Sequence, residues 1–280
     1  MKRILTAVVL IALVFAVLFL GQLWMITLLA AVIAGLAAYE YRQLADRFGL
    51  AIPLWWLLPA IALMFLATSL WPENTQLPVL TALALLLFGI NGFRAPLKVV
   101  LPATAAGLFA LVYIAYPLTL LAPIWNRDDG KVLLLFLMVC VWSGDIAALY
   151  IGKNFGKRKL APRLSPGKTW EGTIASLLGS MLAGAAVYFL GAALIAHGST
   201  VLHIEEPLWQ VLLLAVVLNA AAQVGDLLES AIKRGADVKD SGTMLPGHGG
   251  ILDRIDALLL AAPVLWYALL LKEWFHAGRF

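Results

Sequence analysis

Leu77-Pro-Val-Leu-Thr-Ala-Leu-Ala-Leu-Leu-Leu-Phe88-Gly-Ile90 is the stretch on which the fold turns. It carries no charge and shows no apolar/polar alternation, so it reads as a helix in an apolar medium rather than a strand. A helix needs about 20 mostly apolar residues to cross the hydrocarbon layer. This run, at 14 residues, is the weakest of nine candidates. The others lie at about 4–20, 23–39, 53–70, 99–121, 131–151, 173–196, 208–225 and 255–272. Whether 77–90 crosses decides the side on which everything after it lies.

The placement of Lys and Arg answers that, because cytoplasmic loops carry the excess. With nine spans and the N-terminus inside, 16 of the 20 cations fall on the cytoplasmic side. Deleting the 77–90 span leaves 8 inside and 12 outside. The nine-span arrangement is therefore expected, with the N-terminus cytoplasmic and the C-terminus outside. The first run follows Lys2 and Arg3 without a clear small-residue cleavage site, so it reads as an uncleaved helix.

Composition agrees. The 280 residues are 62% hydrophobic and 13% charged, with a mean hydropathy of +0.93. Soluble domains are roughly 45–50% apolar and about 25% charged. A water-soluble enzyme and a disordered chain are both excluded. A single cysteine, Cys140, excludes a disulfide framework and a cysteine-based zinc site. The expected class is an all-α polytopic integral membrane protein. Residues 1–130 would supply five spans. Residues 131–280 would supply four, with two cytoplasmic polar loops.

The scarce charges are concentrated. Residues 143–172 and 226–256, 61 positions, hold 18 of the 36 charged residues. Several abut or enter the spans: Asp145, Glu171, Asp226, Asp253 and Asp256. Ionisable groups at such depth are costly and face a cavity or a partner. The blander reading, solvated loops, leaves them unexplained.

In the first window five cations between Lys153 and Arg163 are interleaved with Phe155 and Leu160, a pattern suited to anionic head groups. Ser165-Pro-Gly-Lys168-Thr169 then opens a helix at Glu171. A helix N-terminus with a lysine beside it can cradle phosphate, although the same cations also serve as a topology signal. Pro162 stands where a Walker A loop would need Gly. In the second window Asp226, Glu229 and Lys233 share one helix face, and Asp253 and Asp256 share another. Two acidic helix ends joined by a Gly-rich loop would converge on one cation. An oxygen-only ligand set suits Mg²⁺, which also recruits substrate phosphates. Lys233, Arg234, Lys239 and Arg254 would meet phosphate oxygens. The alternative is that these charges simply pair with one another. His248 reads as a phosphate ligand, a proton-transfer group or a loop-stabilising donor. Gly249 and Gly250 permit a tight turn or close approach to ligand.

These residues carry a resemblance. Ser230-Ala-Ile-Lys233-Arg234, then Lys239-Asp240, then Leu-Pro-Gly-His248-Gly-Gly-Ile-Leu-Asp253-Arg254-Ile-Asp256 resembles the phosphatidate cytidylyltransferase signature at every fixed position over 27 residues. Gly225-Asp226-Leu-Leu-Glu229 and the stretch from Asp145 through Ser165, Lys168 and Thr169 to Glu171 also look like that family. The resemblance implies transfer of CMP from CTP to phosphatidate in phospholipid biosynthesis. It implies Mg²⁺, with a monovalent cation such as K⁺ possible beside it, and a homodimer of nine-helix subunits. Asp226 and Asp253 would be carboxylates of the metal centre, with Asp256 and Asp145 nearby. Lys233, Arg234, Lys239, Asp240, His248 and Arg254 would be catalytic. Asp145, Ser165, Lys168, Thr169, Glu171 and Ser230 would bind substrate. The implied location is a bacterial inner membrane with the site facing the cytoplasm. Nucleic acid is not an expected partner.

Three other readings fit less well. The opening Asp-Gly-x-x-Ala-Arg of the CDP-alcohol phosphotransferases is absent. A transporter would place charges at span centres and repeat one half in the other. A membrane scaffold would need no carboxylates clustered beside cations. Gly172, Ser176, Ser180 and Gly184, four residues apart, form a small-residue stripe that would pack within the subunit or at a dimer seam. Trp55, Trp56, Trp71, Trp125 and Trp274 read as interfacial anchors.

Overall fold

The structure, a computed structural model, describes residues 2–70, 75–245, 247, 249–276 and 278. His248 and Trp71 therefore lie outside the described residues. Each of the nine apolar runs forms helix. They are α1 (Lys2–Leu20), α2 (Leu23–Arg47), α3 (Leu54–Leu70), α4 (Gln76–Arg94), a composite segment over 97–125, α8 (Gly130–Phe155), α9 (Trp170–Ile195), α10 (Leu208–Gly235) and α11 (Leu252–His276). The composite consists of α5 (Leu97–Ala110), a π-helical turn (Leu111–Ala115), α6 (Tyr116–Thr119) and α7 (Leu121–Trp125). Pro117 stands two residues after the π turn. Its missing N–H breaks the regular ladder, and a π turn absorbs the misfit.

Among the described residues, seven helices are long and apolar enough to cross a membrane. Two further apolar helices, Ile11–Leu20 and Leu54–Leu70, are shorter. The disputed run extends to 19 residues as α4 and is one of the seven. Leu85, Leu86, Phe88 and Phe93 on it stand exposed. An apolar helix face left uncovered suits lipid, where apolar side chains gain nothing by burial. Where α4 does contact a neighbour, a polar pair marks it: Asn91 donates to the Thr104 hydroxyl of α5 at 3.1 Å.

The chain forms two compact units. The first comprises Met1–Pro123 and Ile232–Ile255, and the second Ile124–Ala231 and Asp256–Phe280. In the first, α2 buries a ridge of small residues, Ala30, Ala34, Ala37 and Ala38, with Tyr41 at its end. The Tyr41 hydroxyl donates to the Ala106 carbonyl. Trp56 is buried at 3% exposure, so it is a core residue of α3 and not an interfacial anchor. Trp55 is exposed beneath the Arg94 guanidinium, 5.5 Å from its ring centre.

In the second unit α8 packs along α9. The stripe Gly172, Ser176, Ser180 and Gly184 is buried in that seam, within the subunit. A methyl group on Gly144 of α8 would strike the side chains of Ser176, Ser180 and Asn219, so the helices approach there to backbone distance. Asn219 of α10 donates to the Ser176 hydroxyl at 3.0 Å.

Candidate active site

The first charged window folds as a hairpin that the sequence does not announce. Strands β1 (Lys159–Ala161) and β2 (Ser165–Thr169) pair antiparallel. Glu171 closes it: its carboxylate accepts the backbone N–H groups of Lys157 and Arg158 at 3.1–3.3 Å. Thr169 is the N-cap of α9, its hydroxyl accepting from Gly172 N at 3.1 Å. Glycines at 152, 156 and 172 leave the space that the Thr169 side chain fills. Thr169→Ala is expected to lower stability by about 1 kcal/mol through the lost cap. The check is the thermal midpoint of the purified protein, and a midpoint equal to wild type would remove the capping role.

Lys168, on β2, reaches Asp226 of α10: Nζ and Oδ2 are 2.7 Å apart. The first window thus meets the second here, within one unit. The Ser230 hydroxyl, one turn along α10, lies 3.5 Å from Asp226 Oδ1. A methyl group on Gly225 would sit 2.6 Å from the Asp256 carbonyl oxygen. That glycine lets α10 pass against the start of α11, which sets Asp226 and Asp256 on adjoining stretches. Asp256 Oδ1 accepts from Ala257 N at 2.8 Å. Asp145 of α8 and Ser165 of β2 belong to the same unit, Asp145 exposed and Ser165 half-buried.

The second cluster lies in the first unit. Asp253, in the first turn of α11, accepts from Lys233 Nζ at 2.6 Å, Ser241 N at 2.9 Å and Gly250 N at 2.8 Å. Lys233 and Asp253 are enclosed, their side chains 12% and 6% exposed. Arg234, Lys239, Asp240 and Arg254 stand exposed around them. Arg234 also donates to the Val238 carbonyl at 2.9 Å. Helix α10 ends with Asp237 at a φ of 56° and with Val238 N bonded back to the Lys233 carbonyl, the left-handed termination usually given to glycine. The Gly-rich loop then returns to α11, with Gly249 at a φ of 83° in a tight turn.

Sequence reasoning missed Glu40. It sits on α2, buried at 1% exposure, and Oε2 accepts from the Ser241 hydroxyl at 3.1 Å and from Leu252 N at 2.9 Å. A methyl group on Gly250 would collide with Glu40 and with Ser241. That glycine makes room for a carboxylate of the protein itself. Glu40 and Asp46 are the only acids in residues 1–72, the one signal that could have drawn attention to it.

The donor chemistry fits a hard divalent cation, being carboxylate oxygen without thiolate. Among the described residues no three metal-type side chains form a cage. Mg²⁺ does not require one, because it binds through one or two carboxylates and completes its shell with waters and phosphates. Asp226, its side chain 36% exposed and paired with Lys168, is more open to such exchange than Asp253, whose side chain is 6% exposed.

A cavity of about 640 Å³ lies elsewhere in the second unit. Leu133, Phe136, Trp209 and Val217 line it, with the Glu206–Lys272 ion pair at its edge. At about 1.5 Å per helical residue, Val217 is over 13 Å along α10 from Asp226. It is therefore separate from the Lys168–Asp226 pair.

A family model described as the cytidylyltransferase family matches residues 1–271. A protein of Haemophilus influenzae named phosphatidate cytidylyltransferase is 34% identical over 291 aligned residues, covering 95% of this chain and 97% of that one. Proteins of the same name from Brucella suis and Bacillus subtilis are 43% and 42% identical over 162 and 163 residues. Those two matches take in 58% of this chain, and 55% and 56% of the relatives, so the chain spans about half the length of these relatives.

Proposed function

The chain belongs to the cytidylyltransferase family, and from that premise we propose that it is a phosphatidate cytidylyltransferase. It transfers CMP from CTP to phosphatidate, giving CDP-diacylglycerol and diphosphate in phospholipid biosynthesis. The observation that carries this reading is the Lys168–Asp226 pair, which puts a cation of the first charged window on a carboxylate of the second. Such a pairing suits a site for a nucleoside triphosphate and a lipid phosphate.

A phosphate oxygen of phosphatidate attacks the α-phosphorus of CTP. The bond from that phosphorus to the bridging oxygen breaks, and the electron pair leaves with diphosphate. The nucleophile is already an anion, so no strong general base is needed. Catalysis is then positioning plus charge stabilisation. Asp226, Asp253 and Asp256 are the carboxylates that would hold Mg²⁺, with Asp145 nearby. The ion would screen the triphosphate and the departing diphosphate. Lys168, Lys233, Arg234, Lys239 and Arg254 neutralise phosphate oxygens, and Ser165 and Ser230 offer hydroxyl donors. Lys168 and Lys233 each turn from a carboxylate toward phosphate as substrate enters.

The finer topology belongs to this proposal: nine spans in a bacterial inner membrane, N-terminus and site on the cytoplasmic side, C-terminus outside, in a homodimer. A monovalent cation such as K⁺ beside Mg²⁺ belongs to it too. The test is to give the purified protein CTP, Mg²⁺ and phosphatidate in mixed vesicles and to measure lipid-linked CMP. Product is expected with all three together, is lost on chelation and returns when Mg²⁺ is restored. A folded, inserted protein that yields none where a known relative works refutes the assignment.

A further inference from the structure

We propose that Glu40 is a positioning residue that fixes the Gly-rich loop and the start of α11, and through Ser241 orients Asp253. The kinetic part of this proposal rests on the reading above, but the geometry lies entirely within the first unit. Helix α11 begins at Leu252, and the residue before it is Ile251, which has no polar side chain to cap the free N–H groups. The cap comes from 212 residues away. Glu40 Oε2 accepts Leu252 N, and Ser241 Oγ accepts Asp253 N at 3.3 Å.

The two acceptors are linked. Ser241 gives its one hydroxyl proton to Glu40, so its lone pairs are left for Asp253 N. The Ser241 backbone N–H then donates to the Asp253 carboxylate, closing the ring. Glu40 thus sets the rotamer of Ser241, and Ser241 holds both ends of Asp253. A negative charge at the first turn of a helix is also favoured by the helix dipole.

Two glycines accommodate the carboxylate. A methyl group on Gly242 would run into Glu40 Oε1, and one on Gly250 into Oε2. Oε1 is buried and has no hydrogen-bond partner among the described residues. Leaving a polar oxygen so placed is costly. A residue needed only to fill space there would be an aliphatic one. The loop requires an acceptor at this point, and α2 supplies it.

The experiment compares wild type with Glu40→Ala, Glu40→Gln, Ser241→Ala and the Glu40→Ala/Ser241→Ala double variant in lipid vesicles. In Glu40→Ala, kcat per folded molecule should fall about 100-fold, the cost of a small misplacement at a reacting centre, while KM for CTP moves little. Glu40→Gln keeps one acceptor oxygen and should recover about tenfold of that loss. The double variant should be no slower than the slower single one, because both residues act along one path. Losses that multiply, or a glutamine variant as slow as the alanine one, would overturn the proposal.

A second arm needs no substrate. Amide hydrogen exchange at Leu252 and Asp253 should be faster in both Glu40 variants than in wild type, more so in Glu40→Ala, with α3 unchanged. If Glu40→Ala fails to insert, Glu40→Gln carries this measurement. Unchanged exchange at both amides refutes the positioning role. If wild type makes no lipid-linked CMP, the functional reading fails, and the exchange arm still decides the role of Glu40.

Discussion

Asp253→Asn is expected to cut turnover by about 10³-fold, the scale of losing a main electrostatic element of a site, here a carboxylate that would hold Mg²⁺. It should also destabilise the protein, by about 3 kcal/mol. Both effects follow from the donors around it. Lys233 Nζ, Ser241 N and Gly250 N all point hydrogens at its two oxygens. An amide NH₂ in place of either oxygen sets donor against donor. With its side chain only 12% exposed, Lys233 loses the carboxylate it meets at 2.6 Å and water cannot readily take that place. Lys233→Met removes the other half and is expected to cost stability similarly. The Asp253→Asn/Lys233→Met protein should be more stable than the sum of the singles implies. Thermal midpoints and lipid-linked CMP formation on the same four proteins give the measurement. Additive losses of stability would mean that the pair is not coupled. Near-normal turnover in Asp253→Asn would remove that carboxylate from the chemistry.

What the amino-acid sequence reveals depends on whether the cause is local. Apolar length is a property of a continuous run, so 77–90 was legible as a helix, and it forms one over Gln76–Arg94. The tight turn at Gly249 was legible for the same reason, since the demand for a positive φ falls on one residue. The four-residue spacing of Gly172, Ser176, Ser180 and Gly184 gave the close approach of α9, although not which helix it meets. The hairpin at 159–169 was not legible. Its strands are three and five residues long, contain Pro166 and two lysines with no alternation, and depend on Glu171 for closure. Trp56 was misread because an indole at a span end suits an interface and a core equally well, and only the packing of α2 and α3 decides. Among the charges, clustering and residue type singled out Asp226, Asp253, Lys168 and Lys233 as candidates for chemistry. Partner choice did not show, because an ion pair between β2 and α10 is set by tertiary approach. Glu40 is the extreme case: its partners lie more than 200 residues away, and it looks like one acid at the end of an alanine-rich helix.

Asp226→Asn is expected to match Asp253→Asn in lost turnover, about 10³-fold, while barely changing stability. The difference is exposure. The Lys168 and Asp226 side chains are 23% and 36% exposed, so water can replace what each loses. Ion pairs in that setting contribute about 0–1 kcal/mol. Asp253 is held by the backbone N–H groups of Ser241 and Gly250, whereas among the described residues no backbone N–H donates to the Asp226 side chain. The Ser230 hydroxyl lies beside it at the limit of hydrogen-bond reach. Removing the charge should therefore leave the hairpin and α10 in place and strike the cation and phosphate chemistry alone. Two measurements separate the readings. The thermal midpoint of Asp226→Asn should lie close to that of wild type, and the Mg²⁺ concentration needed for half-maximal turnover should rise. If the variant loses stability as Asp253→Asn does, Asp226 is a structural member of an ion pair. If turnover and Mg²⁺ dependence both stay normal, the cation is held without it. A second variant, Lys168→Met, tests the same pair from the other side. If Lys168 serves phosphate, its loss should raise KM for CTP while leaving the Mg²⁺ requirement where it was. If Lys168 serves only to balance Asp226, removing it should instead free the carboxylate and lower that requirement.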